Sequence, residues 1–273
     1  MKKLLIILSA IILLAVLIGC SEKDDNITDI QTQGYKLDQF INQAIVTDSL
    51  DAAAPDTLDF RGLFAYEIVS GEDGFSPRMS SYAGYDLNWE TFKNGYLVPS
   101  ENNRTWFADT SLPGAFRVRN TGYFRMYRKI DVIAPDNSTK MIELKGLALY
   151  TINNWDGNPE EAIKLSDLVQ GIASYDSVCI VCSDDFGLGR YYTQAAIDDG
   201  YYLLTTERTI FPTVSLPSNM QKLKKVSYLK VYGTEAAQSF TFELTPTADA
   251  DMIFTVPENL TGYSLTTIPG YSE

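Results

Sequence analysis

The decapeptide Arg104 to Pro113, RTWFADTSLP, returns at Arg208 to Pro217 as RTIFPTVSLP. Recurrence inside one chain constrains its fold more than any composition does, because a repeated unit must build the same local structure twice. The match does not stand alone. Lys36 to Asn42 (KLDQFIN) parallels Lys164 to Gln170 (KLSDLVQ), and both start segments with apolar residues at helical spacing. Ile68 to Phe75 (IVSGEDGF) parallels Ile180 to Phe186 (IVCSDDF), an apolar strand running into an acidic turn. Asn94-Gly95-Tyr96-Leu97 parallels Asp199-Gly200-Tyr201-Tyr202, and each series closes on an alternating strand, Tyr123 to Tyr127 or Tyr228 to Tyr232.

Five matches in one order predict a tandem duplication. Each copy reads as a short helix, a buried strand, an acidic turn, a helix (Asn88 to Lys93 or Thr193 to Asp198), a Gly-Tyr strand, a proline-bearing loop and a final strand. The expected fold class is therefore α+β and strand-rich. The first repeat is assigned to residues 35–133, and the second, with a preceding hairpin, to residues 134–233. That hairpin joins Lys129 to Ala134 with Lys140 to Leu149 through Pro135 to Thr139. Asn153 to Asn158 reads as an Asx-rich turn, since it lacks the spacing and closing glutamate of an EF-hand. Residues 234–273 form a β extension, with strands expected over Gln238 to Leu244, Met252 to Val256 and Tyr263 to Ile268, covering an otherwise open sheet edge.

The amino terminus carries a different kind of signal. Met1-Lys2-Lys3 precedes an uncharged apolar run from Leu4 to Ile18, too short for the ~20 residues of a bilayer-spanning helix, and Leu17-Ile18-Gly19-Cys20 follows. The last four residues resemble the bacterial lipobox. The resemblance implies cleavage of residues 1–19, thioether acylation of Cys20 and a mature chain starting there. Residues 20–34 then form a lipidated tether. Acylation at about 0.8 kcal/mol per buried CH₂ makes three chains a durable anchor. Ser21 after the cysteine is similar to the outer-membrane sorting pattern, and the cluster Lys23-Asp24-Asp25 resembles a surface-export signal.

Composition narrows the chemistry. The formal charge of −13 becomes more negative still once Lys2 and Lys3 depart, which argues against nucleic acid as a partner. There is no histidine, so Ser-His-Asp and Cys-His nucleophilic sites and His-containing zinc sites are excluded. Cys179 and Cys182 have Cys-x-x-Cys spacing but lie in an apolar strand, where residues three apart face opposite sides, so core packing is expected. The pairs Asp184-Asp185 and Asp198-Asp199 read as solvated turn residues rather than a hydrolase's acid pair. Glu72, Asp73, Asp184 and Asp185, on matching turns, are weak candidates for cation binding.

The second copy, through Leu165 to Leu168, Asp184 to Gly187, Asp199 to Tyr201, Arg208 to Pro217 and Lys225 to Val231, resembles the carboxy-terminal half of the sulfite oxidase-type, molybdopterin-binding domain. The first copy is similar more loosely, through Asp73 to Phe75, Asn94 to Tyr96 and Leu112 to Gly114. The resemblance implies two degenerate units of that fold. In that family a cysteine thiolate holds molybdenum, and Cys182 is the residue that would stand for it. Missing histidines and the Lys2-Lys3 signal, which marks export in the unfolded state, instead imply the fold without the cofactor. The expected protein is an extracytoplasmic, outer-membrane lipoprotein facing the periplasm or the cell surface, held by its lipid, with no cofactor and no metal. It acts as a non-catalytic binding or assembly module. An oxidoreductase or electron carrier with Cys182 as ligand is the alternative.

Overall fold

The computed structural model describes residues 32–51, 58–79, 86–172, 175–233 and 249–271. Cys20, the signal segment and the strand expected over Gln238 to Leu244 lie outside the described residues. The fold is α+β and strand-rich. In chain order the strands are β1 (Gln33–Lys36), β2 (Phe64–Ser70), β3 (Tyr96–Val98), β4 (Arg104–Trp106), β5 (Thr121–Ile133), β6 (Thr139–Glu143), β7 (Tyr150–Asn153), β8 (Pro159–Lys164), β9 (Ser177–Cys182), β10 (Tyr191–Tyr192), β11 (Tyr201–Leu203), β12 (Arg208–Ile210), β13 (Val226–Tyr232), β14 (Met252–Thr255) and β15 (Leu265–Thr267).

Two lobes share β5. Over its first half β5 pairs with β2 and β14; over its second half it pairs with β6 and, in parallel, with β13. One apolar core gathers Leu37, Phe64, Tyr66, Phe92, Phe107 and Phe124; the other gathers Ile130, Ile163, Leu165, Ile180, Tyr202 and Leu229. β2 is buried along its whole length, as is β9 from Val178 onward, and both are accordingly apolar runs with little alternation.

The pairing within one lobe recurs in the other, position by position. β1 meets β3 with Lys36 opposite Tyr96, and β8 meets β11 with Lys164 opposite Tyr201. β2 and β5 set Ile68 opposite Phe124 and Val69 opposite Tyr123; β9 and β13 set Ile180 opposite Leu229 and Val181 opposite Tyr228. A β-bulge interrupts both ladders just beyond, at Ser70 in one and at Val226 in the other. The helix Trp89–Lys93 is capped by the Asn88 side chain, and Gln194–Asp199 by that of Thr193. Gly95 and Gly200 follow these helices where no side chain fits. A Cβ would lie 2.3 Å from Phe107 at the first and 2.6 Å from Leu165 at the second.

The sequence reading omitted strands from each copy: β4 and β12 stand where it expected the start of a proline-bearing loop, and pair with β3 and β11. The segments starting at Lys36 and Lys164 do turn helically, over Leu37–Phe40 and Leu165–Leu168, but each is preceded by a strand, β1 or β8, that adds to β3 or β11. β1 is only four residues long and β8 carries Glu160 and Glu161, so neither announces itself by hydrophobicity. The hairpin forms with its turn at Asn137, φ 65°, but β6 stops at Glu143 because Leu144–Gly146 winds into a 3-10 turn. Asn153 to Asn158 is an Asx turn between β7 and β8, the Asn154 carboxamide accepting from the Asp156 and Asn158 amides. The tail covers two edges of the first lobe: β14 pairs with β5 and β15 with β1. No helix among the described residues is long and apolar enough to cross a membrane.

At the meeting of the lobes β5 carries Arg128, 5 % exposed. Its guanidinium donates to Glu207 (3.1 Å), to the Tyr202 hydroxyl (2.9 Å) and to the carbonyls of Leu63 (3.3 Å) and Val226 (2.8 Å). Lys225 lies 3.9 Å from the same Glu207 carboxylate and donates to the Leu50 carbonyl of the first lobe. The two cations outweigh the desolvation of Glu207 and hold its carboxyl below its ordinary range.

Candidate functional site

The repeated Arg-Thr dipeptide builds the same brace in each lobe. The middle residues of β4 and β12, Thr105 and Thr209, are fully buried. Thr105 donates its hydroxyl to the Phe116 carbonyl (2.6 Å) and accepts from the Val118 amide (2.9 Å). Thr209 donates to the Gln221 carbonyl (2.8 Å) and accepts from the Leu223 amide (2.9 Å). Each returning segment is thereby pinned with its apolar residue, Val118 or Leu223, inside. Its neighbours on either side, Arg117 and Arg119 or Lys222 and Lys224, line a cleft. Asn120 and Lys225 end the two segments in left-handed backbone, φ 50° and 55°, and their carbonyls accept from Gly71 (2.7 Å) and Ser183 (2.9 Å). Asparagine takes that conformation easily; lysine takes it at a cost of order 1 kcal/mol.

The two clefts differ in charge. The first, of about 420 Å³, sets Arg117 and Arg119 against Glu72 and Asp73, with Phe75 and Asn120 beside them. The second, of about 350 Å³, is lined by Arg208, Lys222 and Lys224, with Trp155 from the β7–β8 turn as one wall and Leu50 and Asp51 of the helix Gln43–Asp51 as another. Asp51 forms an ion pair with Lys224. The indole N–H of Trp155 donates to the Thr209 carbonyl (3.1 Å), and the Lys222 ammonium stands 4.2 Å over its ring. The cleft's inner loop is fixed by Glu160, which accepts from the Thr205 and Thr206 amides (2.8 and 2.6 Å). Arg104 on β4 is paired with Glu101 (3.1 Å), whereas Arg208, at the matching place on β12, has no ion-pair or hydrogen-bond partner for its side chain among the described residues.

The residues singled out from the sequence take other roles. Cys182 ends β9 at 4 % exposure, and burial, then the nearby Asp184 carboxylate, pushes its thiol up to about 12. Cys179, also buried and free, donates to the Gly187 carbonyl (3.2 Å). Asp73 accepts from the Phe75 amide (3.0 Å), Asp184 from the Phe186 amide (3.1 Å), and Asp185 sits in left-handed backbone at φ 63°. The Ser70 hydroxyl and the Phe75 amide hold the Asp73 carboxyl below its ordinary value. Glu72 accepts from the Asn120 side chain. Asp199 closes a loop by accepting from the Thr213 (2.9 Å) and Val214 (2.8 Å) amides. These carboxylates close turns, and among the described residues no three Asp, Glu or Cys side chains gather as a metal site would require.

Sequence reasoning named Arg208 as the start of the repeated decapeptide and Trp155 only among the aromatics suited to contacts, and it did not single out Lys222 and Lys224. A signal existed. Extending the repeat past Pro113 and Pro217 reaches Arg117-Val118-Arg119 and Lys222-Leu223-Lys224, a basic-apolar-basic triplet in both copies. Comparison of the chain with protein-family models, curated proteins and solved structures finds no match.

Proposed function

We propose that this protein is an outer-membrane lipoprotein, lipidated at Cys20, whose globular part is a non-catalytic binding or assembly module outside the cytoplasm. That part consists of two tandem copies of one α+β unit, of the molybdopterin-binding-like type without its cofactor, followed by a β extension. The observation that carries the reading is the paired brace at Thr105 and Thr209, which presents a basic pair at the mouth of a cleft in each lobe. Clefts edged by cations suit the binding of an anionic group. The apolar run Leu4 to Ile18 ending at Gly19-Cys20 supports the anchor. Phe186, Leu188 and Tyr191, all exposed on one turn and its strand, add contact surface suited to a partner.

Cys182 is 4 % exposed and packs within the second core, which favours a packing role over that of a ligand open to a cofactor. Mass spectrometry of the mature amino-terminal peptide tests the anchor: a triacylated Cys20 is expected, and an unacylated terminus elsewhere refutes it. Replacement by Cys20→Ala moves the protein out of the membrane fraction if the anchor is lipid, and protease shaving of whole cells separates a periplasmic from a surface orientation.

A further inference from the structure

The first cleft sets its arginines, Arg117 and Arg119, against Glu72 and Asp73, whereas Arg208 in the second has no ion-pair or hydrogen-bond partner for its side chain among the described residues. Arg104 in the first lobe is paired with Glu101; Arg208, at the matching place on β12, has no such acid among the described residues. Lys222 has the Trp155 ring as its contact, and Lys224, already paired with Asp51, is the cross-strand partner of Arg208 in an isolated bridge. Directly opposed residues of an antiparallel pair project to the same side. Arg208 and Lys222 therefore face one cleft of about 350 Å³, within the range for small-molecule sites, beside a half-buried indole. In a chain with a formal charge of −13, two cations with no ion-pair partner among the described residues make this concavity a local reversal of the surrounding field.

We infer that this cleft binds a small organic ligand carrying a tetrahedral oxyanion, a phosphate or sulfate monoester. A guanidinium fork engages two oxygens of such a group, and an ammonium engages a third. A carboxylate offers only two oxygens and leaves Lys222 unmatched. Asp156 at the rim is the opposing charge, while Asp51 is held by Lys224. The carbon skeleton next to the anion lies along Trp155, whose indole is fixed by its bond to the Thr209 carbonyl. The inference rests on the binding-module reading and is independent of the lipid anchor.

The test is calorimetric titration of the full chain in detergent with phenyl phosphate, phenyl sulfate, inorganic phosphate, inorganic sulfate and benzoate. One-to-one saturable binding of at least one ester is expected, weakening as salt rises. Benzoate and the inorganic ions should each bind at least tenfold more weakly than that ester. Arg208→Lys, which keeps the charge and loses the fork, should lower ester affinity at least tenfold with an unchanged melting temperature, and Arg104→Lys should leave affinity unchanged. Absence of saturable ester binding overturns the inference, as does equal binding of benzoate or of the inorganic ion. Equal loss in the Arg104 and Arg208 variants also overturns it. None of these outcomes touches the lipidation measured at Cys20, so the two readings fail separately.

Discussion

Glu207 occupies left-handed backbone, φ 52°, with its side chain 6 % exposed between Arg128 and Lys225. Removing one partner of such a buried cluster leaves an uncompensated charge, which costs about 3–5 kcal/mol, whereas replacing the pair together by apolar residues is often far milder. Glu207→Gln should therefore lower stability by that order in urea unfolding, and Arg128→Met combined with Glu207→Leu should cost less than the single change. The cluster also sets an acid limb. The folded carboxyl titrates below its unfolded value of 4.5, so its stabilisation is complete above about 4.5 and is lost as pH falls through the lower folded value. Across that interval the wild type should lose stability with falling pH more steeply than Glu207→Gln, by up to one proton's worth of slope. Equal slopes would place the acid sensitivity elsewhere. At Cys182 the expectation is inertness: with its thiol pushed up to about 12, iodoacetamide at pH 8 should label neither Cys179 nor Cys182 until the protein is unfolded.

The Thr-centred brace is the smallest unit at which the two lobes can be compared. Valine at Thr105 or Thr209 keeps the shape and strands one carbonyl and one amide in the interior, at about 1–3 kcal/mol. Both single variants should lose stability by similar amounts in urea unfolding, and the double variant by their sum, since the two sites lie in separate cores. A large disparity would mean that one brace is structural and the other idle. At this scale the sequence was informative about helices and buried strands, because Asn88 and Thr193 are cap residues and β2 and β9 are apolar runs. It was silent on β1 and β8, whose existence depends on ladders to β3 and β11 from far along the chain.

For the whole molecule the shared strand β5 decides how the parts depend on one another. Thirteen residues long, it lies in the first core through Phe124 and Met126 and in the second through Ile130 and Val132. The carboxy-terminal strands β14 and β15 return to the first lobe, where Val256 joins the core of Phe64, Phe92 and Phe124, and Ile268 packs with Tyr96, Val98 and Trp106. Truncation after residue 248 should then expose the edges of β1 and β5. Hydrogen exchange of the truncated protein is expected to show lost protection in β1, β3 and β4, with β9 and β13 nearly unchanged. Loss spread evenly over both lobes would contradict the two-core description.

The sequence by itself determined the strand-rich class, the buried strands β2 and β9, the short helices after Asn88 and Thr193 and the closing strands, because each depends on local backbone sterics and on periodicity within a few residues. The tertiary structure alone decided that β5 serves both lobes, that Arg128 and Glu207 meet across 79 residues of chain, and that Trp155, Arg208 and Lys222 line one cleft. Burial and electrostatic partnership come from chain segments brought together by folding. Arg104 finds its counter-charge locally, in Glu101 three residues before it, where the second copy has Thr205; that Arg208 meets no acid among the described residues depends on what folding brings around it.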